Sequence, residues 1–255
     1  VPNSDQFFLE FLPERQRRVK FLTGFEGSNA FLIITQKKSY FFTDGRYLLQ
    51  AANEVDLSGF EIIDMATISV IDKLQQIVKP GQKIALDPKL HNVDFVENII
   101  DICSQKSSQY YLFKINPVDQ IWNSDQVKKT QLRKPEIPQI KIVKHPKKFA
   151  GKTKEEKIKQ LLRLYKQDAI LITQSESICG LFNIRCHGAV EYSPILPCYA
   201  LLYKDGSYEF FLDYDNSAEK FSFYKSKLYL NNHVSFKVAP KKDFSSVAID
   251  PKLTN

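Results

Sequence analysis

No stretch of the chain approaches the roughly eighteen consecutive apolar residues that a membrane-spanning helix needs. The first ten residues, VPNSDQFFLE, also lack the basic-then-apolar pattern of a secretion signal. A cytoplasmic chain that meets no membrane is the default expectation. Cysteine is sparse, and Cys103, Cys179, Cys186 and Cys198 form neither a CxxC pair nor an even scaffold spacing. That argues against structural disulfides and a zinc ribbon, and for free buried thiols. The four histidines, His91, His145, His187 and His233, are scattered without HxxxH or DxD partners. Cys186 beside His187 is half a metal site at best, so no metal bound by this chain is expected. A G-x-S-x-G elbow, a phosphate-binding glycine loop and a catalytic-cysteine signature are all missing. The segment GFEGSNA (Gly24 to Ala30) reads as a short glycine turn between strands.

What is present is apolar and ample. With 255 residues, 43% of them hydrophobic and 19 of them phenylalanine, the chain can build two ordinary domain cores. The formal charge of +7 is unevenly spread, for Lys128 to Lys152 holds nine Lys or Arg against the single acid Glu136. With Pro135, Pro138 and Pro146 in it, that stretch reads as a linker. It lacks interleaved aromatic residues, so a solvated lysine-rich segment is expected there and a nucleic-acid partner is not.

Short β-rich runs alternate with helical ones. AFLIIT (Ala30 to Thr35), SYFFTD (Ser39 to Asp44), a helix near Tyr47 to Val55 and GFEIID are followed by the helical spacing of SVIDKLQQIV. Then come the strand KIALD, a helix through DFVENIIDIC and the strand YYLFKI. The fold class expected is α/β, a mixed sheet flanked by helices. Past the basic stretch the order begins again: TKEEKIKQLLRLYKQ opens with Thr153 and Glu156 in a capping-box arrangement, and the strand AILIT follows.

The chain also repeats itself. IALDPKL (Ile84 to Leu90) returns as VAIDPKL (Val247 to Leu253), and FLIITQKKSYFFTDG returns as YALLYKDGSYEFFLDYD, where KDGS is a hairpin signal. Asp44 thus matches Asp213, and Asp87 matches Asp250. A period this long excludes solenoids and propellers, whose units run about 20 to 50 residues, and indicates domain duplication. The expected domains are residues 1–147 and residues 148–255, the second incomplete. Before AFLIIT the first copy has no room for the helix that precedes AILIT, and after VAIDPKL the second copy stops where the first continues. Both ends read as cut, as in a segment of something longer or the product of a damaged gene.

The densest knot of chemistry is FFTDGRYLLQA. Asp44-Gly45 reads as a turn in which Gly45 can take positive φ, Asp44 accepts backbone hydrogen bonds and Arg46 emerges at a helix start. Either Arg46 closes a local ion pair with Asp44, or its fork points outward to grip carbonyl or carboxylate oxygens of a ligand. The segment alone leaves both open.

Six segments in order resemble one family. VPNSD, FLTGFEGSNA, TDGRYLLQAA, NPVDQIW (Asn116 to Trp122), LFNIR (Leu181 to Arg185) and EYSP (Glu191 to Pro194) are similar to signatures of the cytosolic-type Xaa-Pro aminopeptidases, or aminopeptidase P. The resemblance implies two tandem creatinase/prolidase N-terminal-like domains ahead of a catalytic domain that releases the residue before proline. A divalent metal, manganese by that resemblance, would sit in that further domain and not in this chain. Arg46 would touch the bound peptide, as would Glu10. Asp44 and Gly45 would support Arg46, and Arg185 would pair with carbonyls at a strand end. The partners implied are a proline-containing peptide, the chain's own C-terminal catalytic domain and a second copy in a homodimer.

Two departures stand out. The family follows NIR with glycine where this chain has Cys186, and the second copy lacks an amphipathic helix between VAPKKDF and SSVAID. The competing expectation is a stand-alone creatinase-like interaction module, or a relic without peptidase activity.

Overall fold

A computed structural model describes residues 1–212, 245–250 and 252. They form two compact units, one from residues 1–6 and 14–135, the other from 7–13 and 136 onward.

The first unit contains α1 (Arg18–Thr23), β1 (Phe31–Ile33), β2 (Ser39–Thr43), α2 (Leu48–Glu54), β3 (Phe60–Asp64), α3 (Val70–Ile77) and β4 (Lys83–Leu86). It continues through α4 (Val93–Gln105), β5 (Gln109–Leu112), α5 (Pro117–Trp122) and α6 (Asp125–Lys128). β1 runs antiparallel to β2, β2 parallel to β3, and β4 parallel to β5, so the α/β order and mixed pairing expected are what form. The helices start where side chains can replace missing backbone partners. Ser69 and Asp72 close a capping box on α3, while Asn92 and Asn116 cap α4 and α5. The apolar stripe of α4 buries Ile99, Ile102 and Cys103 against Phe42, Ile63 and Leu86.

The NPVDQIW segment is a structural hub. Asn116 donates to Asp87 Oδ2 at 2.8 Å, Asp119 receives Arg18 at 2.8 Å and Lys134 at 2.7 Å, and Trp122 stacks on Phe21 with ring centroids 4.7 Å apart. Arg18 and Lys134 hold the Asp119 carboxylate below its usual range, although burial works against them.

The second unit contains β6 (Lys141–Lys144), α7 (Lys147–Ala150), α8 (Lys154–Leu162), β7 (Ala169–Ile172), α9 (Ser175–Phe182), β8 (Ile184–His187), β9 (Cys198–Tyr203), β10 (Tyr208–Leu212) and β11 (Val247–Ala248). One sheet has the order β10-β9-β7-β11, and β6 pairs with β8. α8 opens with the Thr153–Glu156 capping box, and the KDGS turn joins β9 to β10 with Gly206 at φ +85. The core is mainly apolar, with Ser175 buried in it: Phe7 and Leu9 from the segment 7–13 lie in it, with Phe7 4.9 Å from the Tyr199 ring. Cys179, Cys186 and Cys198 are free and buried there.

Two sequence expectations are corrected. The stretch Lys128 to Lys152 is no mere linker, because β6 lies within it and Lys134 is drawn down onto Asp119 and the Trp122 ring. GFEGSNA lies between helix α1 and β1, not between strands, since Gly24 ends α1 in the left-handed conformation at φ +78. The counterpart of α1 is α9, which also ends on a left-handed residue, Asn183 at φ 52; the helix that precedes AILIT, α8, is a different element.

The repeat is visible in the backbone. Asp87 Oδ1 accepts from Lys89 N at 3.0 Å, and Asp250 Oδ1 accepts from Lys252 N at 3.0 Å, so the two aspartates make the same side-chain bond to the residue two positions on. Asp213 and the expected loss of a helix before SSVAID lie outside the described residues.

Candidate functional site

β2 ends in Phe42 and Thr43, both fully buried, and the chain turns outward at Asp44. The turn is closed by Tyr47 N donating to Asp44 O at 2.9 Å. Gly45 does not use positive φ, contrary to expectation, and a Cβ there would meet nothing within 4 Å. The side chain of Asp44 does the work of the turn instead. Its Oδ1 accepts from Arg46 N at 3.0 Å and Arg46 Nε at 2.9 Å, while Oδ2 accepts from Arg46 Nη2 at 2.8 Å and Asn29 Nδ2 at 2.8 Å.

The local ion pair is thus present, and Arg46 also points outward, with 71% of its side chain exposed. The two readings of this segment are compatible, because the pair uses only one edge of the guanidinium. Among the described residues Nη1 has no partner, and a guanidinium has more N–H groups than one carboxylate can occupy. The fork also lies 5.1 Å from the Tyr47 ring centroid, and the Tyr47 hydroxyl is 2.8 Å from Ser28 Oγ. Hydrogen bonds from Arg46 first, and Asn29 next, hold the Asp44 carboxyl far below its usual range, and the same pairing raises Arg46. The result is a positive fork on the surface whose orientation follows from its pairing with Asp44.

Asn29, Ser28 and Tyr47 were not singled out from the sequence. Thr43 Oγ1 donates to Asn29 O at 2.7 Å, which ties the GFEGSNA segment to the strand end beneath Asp44. Gly27 permits that approach, since a Cβ there would lie 2.2 Å from the Phe25 ring. A signal existed in the Gly-Ser-Asn run, whose small residues are cheap to bring close to another segment.

Glu10 is exposed and, among the described residues, makes no hydrogen bond or ion pair. It belongs to the second unit, whereas Asp44, Gly45 and Arg46 belong to the first, so neither unit gathers all of them. Arg185 Nη1 donates to Cys179 O at 3.1 Å and Ile184 O at 2.7 Å, tying the end of α9 to β8. The EYSP segment lines an open depression of about 550 Å³ with His187, Gly188 and Val190, and Tyr192 stands there 95% exposed at φ 57.

Among the described residues no group of three His, Cys, Asp or Glu side chains could hold a metal ion. Burial pushes the Cys186 thiol up to about 12, which makes it a poor ligand beside His187. Among the described residues no helix is long and apolar enough to cross a membrane.

Comparison with known proteins agrees with this geometry. The family profile of the creatinase/prolidase N-terminal domain matches residues 11–113, and a second profile of the same description matches residues 133–250. A probable Xaa-Pro aminopeptidase P of Laccaria bicolor is 31% identical over 212 residues, covering 80% of this chain and 31% of the relative. The Xaa-Pro aminopeptidase app-1 of Caenorhabditis elegans is 28% identical over 205 residues, covering 78% and 32%. The crystal structure of X-prolyl aminopeptidase from Caenorhabditis elegans, described as a cytosolic enzyme with a di-nuclear active site, superposes with a TM-score of 0.75 at 27% identity. That match covers 84% of this chain and 34% of the enzyme, so the chain spans about a third of the length of these relatives. The chain belongs to the creatinase/prolidase N-terminal domain family, whose domain it carries twice, and over most of its length it is similar to the Xaa-Pro aminopeptidases P.

Proposed function

We propose that this chain is the non-catalytic N-terminal portion of a metal-dependent Xaa-Pro aminopeptidase, contributing peptide contact and assembly when joined to its catalytic domain. The observation that carries the reading is Arg46, exposed yet held by Asp44 with Nη1 unused. A peptide offers carbonyl and carboxylate oxygens, and a pre-set fork accepts them without first paying to order a long side chain. Glu10, exposed and unpaired, would complement it by holding a free amino terminus.

The described residues gather no metal donor set, so no step of the reaction is assigned to a metal held here. The divalent metal, manganese by the resemblance, belongs to the catalytic domain in this reading, as do bond cleavage and the activated water. A cytoplasmic homodimer is the assembly the reading carries. Titration calorimetry of the chain with a short X-Pro-Pro peptide tests it: a weak signal abolished by Arg46→Ala supports peptide contact, and a signal that Arg46→Ala leaves intact removes Arg46 from the role.

A further inference from the structure

The first unit holds more positive charge around α1 than its acids can use. Arg15, Arg17, Arg18 and Lys20 stand at or just before the start of that helix, and Lys134 joins them from the segment after α6. The carboxylates that answer them are already shared. Glu14 pairs with Arg17 at 2.7 Å and Lys20 at 3.4 Å, and Glu26 with Lys20 at 3.0 Å. Asp119 spends Oδ2 on Arg18 and Oδ1 on Lys134. The Arg15 side chain is left over, with no ion pair or hydrogen bond among the described residues.

The excess is largely buried. The Arg18 side chain is 7% exposed and that of Lys134 13%. Arg18 gives Nη2 to Asp119 and reaches Gln16 O with Nη1 only at 3.5 Å, while its Nε–H is buried without a partner. Arg15 Nη1 is buried without a partner as well. An unbonded N–H on a buried charged group is costly, and folded chains pair nearly all of them. The cations also act on one another: loss of hydration first, and then the Arg18 and Arg15 guanidiniums, lower the Lys134 pKa, and Asp119 alone does not offset them. Arg15, Arg18 and Lys134 against the single Asp119 carboxylate leave two positive charges uncompensated.

The structure assigns to Arg18 Nε and Arg15 Nη1 a small monovalent inorganic anion, chloride, held beside Asp119 at the foot of α1. A divalent oxyanion would set a second negative charge against the Asp119 carboxylate and costs more to strip of water. A halide needs only a few N–H donors, and two buried ones stand here unbonded. The ion would join the turn at Glu14–Gln16 to α1 and, through Asp119 and Lys134, to the NPVDQIW segment, whose Trp122 stacks on Phe21 of α1. α1 in turn ends at Gly24, where GFEGSNA begins, and Asn29 of that segment bonds Asp44. Chloride thereby stabilises the unit that carries Arg46.

Trp122 reports on this place, since it is the chain's one tryptophan and its ring centroid lies 5.2 Å from Lys134 Nζ. Thermal unfolding of the full chain, followed by Trp122 fluorescence, is read as chloride replaces gluconate at constant ionic strength, in the parent and in Arg15→Gln. A second series replaces gluconate with sulfate. Chloride at about tenfold above its dissociation constant should raise the parent midpoint by about 5 °C and then level off, and Arg15→Gln should lose most of that rise. Crystals of the parent soaked in bromide locate the ion without any variant, with the anomalous peak expected within hydrogen-bond reach of Arg18 Nε and Arg15 Nη1. No chloride-dependent rise, an equal rise in Arg15→Gln, or bromide only elsewhere on the surface would overturn the assignment. A rise with sulfate but not chloride, lost in Arg15→Gln, would overturn it in favour of a divalent oxyanion.

Discussion

In the first unit the side chains that tie distant segments are polar: Asp119 joins Arg18 and Lys134, Asn116 joins Asp87, and the Asp44–Arg46 pair is fastened by Asn29. The second unit has polar ties as well, from Asp168 to Ser245 and Ser246 and from Lys157 to Asn183, but Phe7, Phe182, Tyr199 and three buried thiols share one continuous apolar core in it. The two copies share a strand-turn-strand plan, yet the first carries the exposed Arg46 fork and a carboxylate held between two cations. The buried His91 makes the first unit sensitive to pH.

The contrast can be tested by mutation. The largest loss is expected for Phe182→Ala, which empties a fully enclosed site beside Tyr208 and Phe210 and costs the second unit about 3 to 5 kcal/mol in urea unfolding followed by circular dichroism. Next is Asp119→Ala, which leaves Arg18 and Lys134 facing each other without their carboxylate. It costs the first unit about 3 kcal/mol, read through Trp122, the chain's one tryptophan. A Trp122 transition unmoved by Asp119→Ala would break the comparison.

Titration sharpens it. His91 is buried against Phe31 and Phe95, and loss of hydration lowers its pKa to about 3. The fold thus keeps the ring neutral while the unfolded chain protonates it near pH 6.5, so stability is full above that value and falls as pH drops toward the folded value. Between pH 7 and pH 5 the first unit should lose about 2 kcal/mol, and His91→Phe should flatten that slope. The smallest effects separate two glycines. Gly24→Ala, at φ +78, should cost about 1 kcal/mol, whereas Gly45→Ala should stay within about 0.5 kcal/mol by thermal unfolding.

Much of the local structure was legible because its signals are local. The Thr153–Glu156 box, the KDGS hairpin and the matching aspartate bonds of Asp87 and Asp250 all appear where their residues stand. What escaped depends on partners far along the chain. Nothing near residues 7–13 announces that Phe7 packs on Tyr199, and β6 hides in a basic run because its lysines face out while Ile142 and Val143 are only half-buried. At the candidate site, Asp44 and Arg46 could be read from one turn of chain. Asn29 could not, since its bond to Asp44 needs the strand pairing that brings them together.

In the proposed function Arg46, steered by Asp44, meets the peptide. Its most direct test is kcat/KM toward an X-Pro-Pro peptide in a full-length enzyme carrying this chain, with Arg46→Ala against the parent. A fall of roughly tenfold or more, the scale of one charge-assisted hydrogen bond, with unchanged unfolding of the first unit, is the expected result. An unchanged kcat/KM would contradict it.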